Sequence, residues 1–322
     1  MAFIDLPLEK LKKYKGSSPR PKDFDEFWKK ALDEEKNTKA NIKIKKAAFA
    51  LKGFECADVF YDGVRGGRIH AKLIKPAGKT DLPIALHFHG YRGRAGDWNE
   101  YLSYASAGFC VLSMDCRGQG GQSTDAGGVS GNTNRGQIIR GLDDGPESLL
   151  FRQIFLDTVT LADIAKGLDY TDETKLFAYG GSQGGALTLA CAALNPEVGL
   201  LAPVYPFLSD YRRVWELGLD CTAYEDIRDY FRLYDPKHER EDEIFNTLGY
   251  IDVTNLASMI EGETILAVSL NDATTPPSTV FAAYNNISAK KEIHIYPDFA
   301  HEHLPGFSDV VIQKAQNKFV EK

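Results

Sequence analysis

Leu176-Phe177-Ala178-Tyr179-Gly180-Gly181-Ser182-Gln183-Gly184-Gly185-Ala186-Leu187-Thr188-Leu189-Ala190 is a short apolar run, a turn of small residues with a serine at its apex, and an alanine- and leucine-rich run that follows at once. That order predicts a strand, a tight turn and a helix. Within it, residues 180–184 read Gly-x-Ser-x-Gly, and the spacing has a mechanical reason. The serine sits on a strained turn, and the strand before it passes so close to the helix after it that side chains larger than hydrogen are hard to fit. Ser182 is then expected to stand above a sheet at a helix N-terminus, whose free N–H groups favour developing negative charge. A glycine-rich turn of no chemical use is the alternative.

Working outward, the neighbouring apolar runs have the same character. Leu82-Pro83-Ile84-Ala85-Leu86-His87-Phe88, Gly108-Phe109-Cys110-Val111-Leu112-Ser113-Met114, Val198-Gly199-Leu200-Leu201-Ala202-Pro203-Val204, Thr264-Ile265-Leu266-Ala267-Val268-Ser269 and Lys291-Glu292-Ile293-His294-Ile295-Tyr296 are near-continuous and are separated by helical patterns. Such runs mark a parallel sheet covered on both faces. Before Pro76 the period is closer to two, in residues 42–45, 57–61 and 69–74, with turns at Gly53 and Gly66-Gly67. Three antiparallel strands are therefore expected at one end of the sheet.

Two segments lie outside this alternation. Residues 1–40 form an N-terminal extension in which Phe24, Phe27, Trp28 and Leu32 recur at helical spacing, as in an amphipathic helix docked by its aromatic stripe. Residues 206–257 carry short, charged, aromatic helical patterns and are expected to form a cap-like insertion over the catalytic face. The loop from Cys116 to Pro146 is long enough to be either disordered or functional. The whole chain is expected to be one domain, residues 1–322.

Composition sets limits on partners. Lys and Arg total 38 and Asp and Glu 45, a net charge of -7 with no basic stripe, which disfavours a nucleic-acid or anionic-membrane partner. No run approaches the ~20 apolar residues of a membrane helix, and the opening Met1-Ala2-Phe3-Ile4-Asp5 meets an acid at once, unlike a signal peptide. The five cysteines (Cys56, Cys110, Cys116, Cys191, Cys221) show no close-paired metal spacing and are expected to be reduced, buried and structural. A cytoplasmic location is expected.

The chemistry converges on three exit loops. Ser182, Asp272 and His301 each follow a strand of the parallel sheet, whose strands deliver their exit loops to one side. Serine, acid, histidine is the chain order of an α/β-hydrolase. Asp298 is too near His301 in the same loop to reach the ring's far nitrogen, His303 is a minor rival to His301, and His294 lies inside a strand. In this scheme His301 takes the Ser182 proton, Asp272 fixes the imidazole, and the backbone N–H groups of Gln183 and Tyr91 meet the oxyanion. His87 and His89 are expected to be hydrogen-bonded supports rather than a metal pair. Arg117 is expected to hold the long loop by ion pairs, and the second Arg-Gly-Gln, at 135–137, is given no role.

His87-Phe88-His89-Gly90-Tyr91, Arg117-Gly118-Gln119, Gly180-Gly181-Ser182-Gln183-Gly184-Gly185, Pro206-Phe207-Leu208-Ser209-Asp210-Tyr211-Arg212-Arg213, Asp272 with Pro276-Pro277-Ser278-Thr279, and His301-Glu302 together resemble the acetyl xylan esterase and cephalosporin-C deacetylase group, carbohydrate esterase family seven. The likeness runs over nearly the whole chain. It implies a cytoplasmic, metal-free α/β-hydrolase that deacetylates xylo-oligosaccharides and cephalosporin C with no cofactor. It also implies a ring-shaped homohexamer, and Arg117, Gly118, Gln119 and Glu302 as structural support near the site. Asp298-Phe299-Ala300 departs from the Tyr-Gly more usual before the histidine. A peptidase or dienelactone-type hydrolase on the same fold is the alternative enzyme, and a non-catalytic sugar-binding homologue the alternative from another class.

Overall fold

The computed structural model describes residues 4–130 and 136–320. Nine strands form one sheet: β1 (Lys43–Lys46), β2 (Phe54–Asp62), β3 (Arg68–Pro76), β4 (Leu82–Phe88), β5 (Cys110–Met114), β6 (Thr171–Gly181), β7 (Val198–Val204), β8 (Glu263–Ser269) and β9 (Lys291–Tyr296). Their order in space is β1-β2-β3-β5-β4-β6-β7-β8-β9. The first three pair antiparallel, as does β3 with β5. From β5 to β9 every pairing is parallel. This is an α/β-hydrolase fold, a mostly parallel sheet flanked by helices.

The helices are α1 (Leu8–Leu11), α2 (Phe24–Lys36), α3 (Leu102–Ser106), α4 (Leu150–Lys166), α5 (Gln183–Leu194), α6 (Tyr211–Glu216), α7 (Glu225–Tyr234), α8 (Glu241–Leu248), α9 (Val253–Leu256), α10 (Pro277–Asn286) and α11 (Phe307–Phe319). Alternate strand residues face opposite ways, so the sheet supports two cores. Ile84, Leu86 and Phe88 of β4 pack with α2, α4 and α5. Ala85 of β4 and Phe177 of β6 pack instead with Tyr104 of α3 and with Phe307, Val311 and Phe319 of α11. α5 is buried along its whole length, which explains its Ala/Leu composition: a helix apolar all round has no solvent face.

The N-terminal extension docks as its aromatic stripe requires, with Phe24, Phe27, Trp28 and Ala31 buried. Its helix starts at Phe24, with the stripe, and runs one turn past Leu32 to Lys36. Trp28 donates its indole N–H to the Tyr250 carbonyl at 3.0 Å, so the extension is tied to the insertion. The insertion's Phe207, Tyr211, Tyr224, Phe231 and Phe245 join the same core as α4 and α5, and these aromatic residues are packing rather than exposed wall.

The described parts of the long loop after β5 are tied to their surroundings. Thr124 bridges Arg68 of β3, and Arg140 pairs with Asp125 at 2.8 Å. Arg135, in the second Arg-Gly-Gln, lies outside the described residues.

Candidate active site

Strand β6 ends at Gly181, and Ser182 turns the chain into α5 with φ 57° and ψ -118°, angles that L-residues avoid. The turn is held by Ser182 N–H to the Val204 carbonyl at 3.0 Å and by Phe207 N–H to the Ser182 carbonyl at 3.0 Å. The two outer motif glycines are required by space. A Cβ on Gly184 would lie 1.9 Å from the Phe88 carbonyl oxygen, and one on Gly180 2.5 Å from the same atom. Close approach of β4, β6 and α5 therefore excludes any larger residue.

His301 comes from the loop after β9 and Asp272 from the loop after β8. His301 Nε2 lies 3.1 Å from Ser182 Oγ, and His301 Nδ1 lies 2.7 Å from Asp272 Oδ2. The three side chains expected to converge do so. Asp272 is fully buried and accepts Thr274 N–H and Thr275 N–H on Oδ1, at 2.8 and 2.9 Å, and the Thr275 hydroxyl on Oδ2 at 2.7 Å. Thr275 escaped the sequence reading, although an acid followed three residues later by threonine is the pattern of a side chain capping its own loop. The Tyr205 ring packs on the imidazole at 4.6 Å between centroids, and its hydroxyl donates to the Glu302 carbonyl at 3.0 Å. Asp298 and His303 take no part in the hydrogen bonds of this trio.

A serine hydroxyl bonded to an imidazole that is oriented by a buried carboxylate is equipped to attack an acyl carbon. Known proteins agree with this chemistry. A model of the acetyl xylan esterase family (AXE1) matches residues 1–319. The chain belongs to the acetyl xylan esterase family. An acetyl esterase, Axe7A, of Xylanibacter ruminicola is 29% identical over 314 residues, which span 92% of this chain and 70% of that protein. Acetyl xylan esterase 1 from Thermoanaerobacterium sp. JW/SL YS485 superposes with a TM-score of 0.96 at 54% identity, covering 97% of this chain and 99% of that one. For the acetyl xylan esterase from Paenibacillus sp. R4 the values are 0.93 and 36%, over 98% of this chain and 100% of that one. The chain is a carboxylic ester hydrolase.

The loops beside the trio in this acetyl xylan esterase family member are held by buried and half-buried polar groups. The Gln119 and Gln183 amides pair reciprocally, Gln119 Nε2 to Gln183 Oε1 at 2.7 Å and Gln183 Nε2 to Gln119 Oε1 at 3.1 Å. Gln137 Nε2 donates to the Gly118 carbonyl at 2.6 Å, and Gly118 takes φ 67°. Arg117 is wholly buried, and it is held by ion pairs and a hydrogen bond, the kind of structural role expected of it. Its guanidinium grips Asp157 of α4 in a two-pronged pair at 2.7 and 2.6 Å and donates to the Val64 carbonyl at 3.0 Å. Among the described residues of the long loop, Asp125 lies 3.8 Å from it, so the arginine ties the start of that loop to α4 and to the turn before β3. Glu302 is exposed and acts locally, its carboxylate accepting Ala300 N–H at 3.0 Å.

Both strand-end histidines are supports. His87 Nδ1 meets the Ser113 hydroxyl at 2.8 Å, and burial pushes its pKa down to about 3. His89 bonds the Gly90 carbonyl and Cys116 N–H. Four cysteines are buried as expected, but Cys221 is exposed, because it lies in the irregular link between α6 and α7 rather than in a strand or helix.

A further cluster was not anticipated. His70 of β3 sits between two carboxylates, Asp115 at 2.7 Å and Asp58 at 3.0 Å. Asp115 also accepts Ala95 N–H at 2.6 Å and Gln122 N–H at 2.8 Å, and so fixes the loops after β4 and β5. Burial disfavours the charged ring, but the hydrogen bonds to Asp115 and Asp58 outweigh it, and the His70 pKa is raised. A raised folded-state value means that the stabilisation is complete below the unfolded pKa and is lost as pH rises through the folded one. His70→Gln is expected to be about 2 kcal/mol less stable than wild type at pH 6. That gap should narrow by pH 9, as measured by urea unfolding; a gap that is constant with pH would contradict a charged His70.

Proposed function

We propose that the protein hydrolyses short-chain esters, chiefly acetyl, of xylo-oligosaccharides and related small alcohols such as cephalosporin C, through an acyl-enzyme on Ser182. The observation that carries this reading is the unbroken contact from Ser182 Oγ through the His301 ring to Asp272, at 3.1 and 2.7 Å. Neutral His301 removes the serine proton as oxygen attacks the acetyl carbon, and the imidazolium then protonates the departing sugar alkoxide. Water repeats the sequence on the acyl-enzyme and releases acetate. Asp272 holds the imidazole tautomer and stabilises its charged form. The tetrahedral oxyanion is met by the N–H groups of Gln183, at the start of α5, and Tyr91. Each such donor contributes about 3 kcal/mol to lowering the barrier.

Arg117, Gly118, Gln119 and Glu302 support this site without touching the reacting atoms, and the 206–257 insertion caps it. The family likeness further supports a homohexamer, small substrates and a cytoplasmic location, with no metal or cofactor needed for the steps above. No described helix is long and apolar enough to cross a membrane.

The test is a series of 4-nitrophenyl acetate, butyrate and octanoate, acetylated xylobiose, cephalosporin C and a peptide anilide, on purified protein. Acetate esters are expected to exceed octanoate in kcat/KM by at least about tenfold, with the anilide inert. Preference for the amide would favour the peptidase reading of the same fold, and no turnover of any ester would favour the binding-protein reading. A mass measurement in solution decides the hexamer.

A further inference from the structure

We propose that His89 is the positioning residue that aims the Tyr91 N–H at the oxyanion, by holding the carbonyl of the same peptide unit from behind. The inference deepens the proposed mechanism and rests on Tyr91 N–H acting as an oxyanion donor. It starts from the geometry of one peptide. The described chain has no cis bonds, and in a trans unit the carbonyl and the N–H point in opposite directions. Whatever fixes the Gly90 carbonyl therefore fixes the Tyr91 N–H.

Two donors hold that carbonyl. His89 Nδ1 lies 2.7 Å from Gly90 O, and Gly93 N–H lies 3.1 Å from it across a tight turn. No described backbone acceptor takes the Tyr91 N–H, which leaves it free on the opposite side.

The tautomer needed for this is imposed by the ring's other nitrogen. His89 Nε2 lies 3.0 Å from Cys116 N–H. A backbone N–H only donates, so Nε2 must accept, and the ring proton is left on Nδ1 to point at Gly90 O. Burial lowers the pKa of His89, which keeps the ring in the neutral form that accepts at one nitrogen and donates at the other. The residue is 5% exposed, so water does not compete for either bond. Its own carbonyl faces Gln183 Nε2 at 3.4 Å, which links the segment before Tyr91 to the residue bearing the other donor. His89 thus joins the loops after β4, β5 and β6, and only its Nδ1 bond acts on the Tyr91 peptide.

The two bonds are separable by substitution. Asparagine places an amide nitrogen near the position of Nδ1, so His89→Asn keeps a donor for Gly90 O and loses the acceptor for Cys116. Glutamine reaches the position of Nε2, so His89→Gln keeps an acceptor for Cys116 and loses the donor. Removing one oxyanion donor lowers kcat by about 10²–10³. A misaimed donor in His89→Gln is expected to lower kcat on 4-nitrophenyl acetate by about 30-fold or more, with KM within about twofold. His89→Asn is expected to stay within about fivefold of wild type. Thermal midpoints of both variants establish that they are folded at the assay temperature.

A role limited to bracing the loop after β5 gives the reverse order, and any result in which Gln is as active as Asn overturns the proposal. Ser182→Ala assayed alongside keeps the two ideas apart. If that variant retains activity, the acyl-enzyme reading fails whatever His89 does. If it is inactive while Gln matches Asn, only the role of His89 fails.

Discussion

Ser182→Ala is expected to lower kcat on 4-nitrophenyl acetate by at least about 10⁴-fold while leaving the fold intact. The size follows from the role: when a triad nucleophile is lost, what remains is binding and oxyanion stabilisation acting on water, and the loss reaches about 10⁶ in well-studied cases. The fold survives because the strain at this position belongs to the backbone. At φ 57° and ψ -118°, alanine is strained as much as serine, and the bonds that hold the turn are made by main-chain atoms of residue 182 to Val204 and Phe207. Glycine is different. It adopts these angles freely, so Ser182→Gly is expected to be equally inactive but about 1 kcal/mol more stable, the relief of strain exceeding the extra entropy of glycine in the unfolded chain. Urea unfolding of the three proteins beside their kcat values checks both halves. Activity in the alanine variant within about tenfold of wild type would remove Ser182 from the chemistry.

The parts of this architecture that were legible in the sequence are those set by local pattern or by topology. Apolar runs gave the parallel strands, and because such strands emit their exit loops on one side, Ser182, Asp272 and His301 were expected together from positions separated by up to 119 residues. The start of β6 at Thr171 was not legible. Thr171-Asp172-Glu173-Thr174-Lys175 is polar and partly exposed, and pairing with β4 rather than hydrophobicity draws its beginning into the sheet. The Arg117–Asp157 pair was equally hidden, since nothing in an amphipathic helix pattern tells which acid meets a distant arginine. His70, Asp115 and Asp58 lie on three different strands or strand ends, and only the antiparallel register that sets Phe60 opposite His70 and the β3–β5 pairing bring them into one cluster. Local polar partners such as Thr275 were within reach, because an acid and a threonine three apart in a turn are held by the chain itself.

The second large effect is expected at Asp272, where charge and tautomer can be told apart from packing. Asp272 Oδ1 accepts two backbone N–H groups, from Thr274 and Thr275, which can only donate. In Asp272→Asn the amide oxygen must occupy that position, because an NH₂ there would face two N–H groups. The amide nitrogen is then turned toward His301 Nδ1, 2.7 Å from the atom it replaces. Nδ1 has to accept, its proton moves to Nε2, and the nitrogen 3.1 Å from Ser182 Oγ no longer has a lone pair to receive the serine proton. The Thr275 hydroxyl, which donates to Oδ2 in the wild type, can rotate to accept from the new amide, so the site stays packed. The expected result is a fall in kcat of about 10⁴ with a change in unfolding free energy below about 1 kcal/mol. Asp272→Ala, by contrast, leaves the two backbone donors buried without an acceptor and is expected to lose about 2 kcal/mol or more of stability as well. A variant with asparagine that keeps more than about a tenth of wild-type kcat would mean that the His301 tautomer is set by something other than Asp272, and Thr275, 3.4 Å from the same ring nitrogen, is the group that would have to supply it.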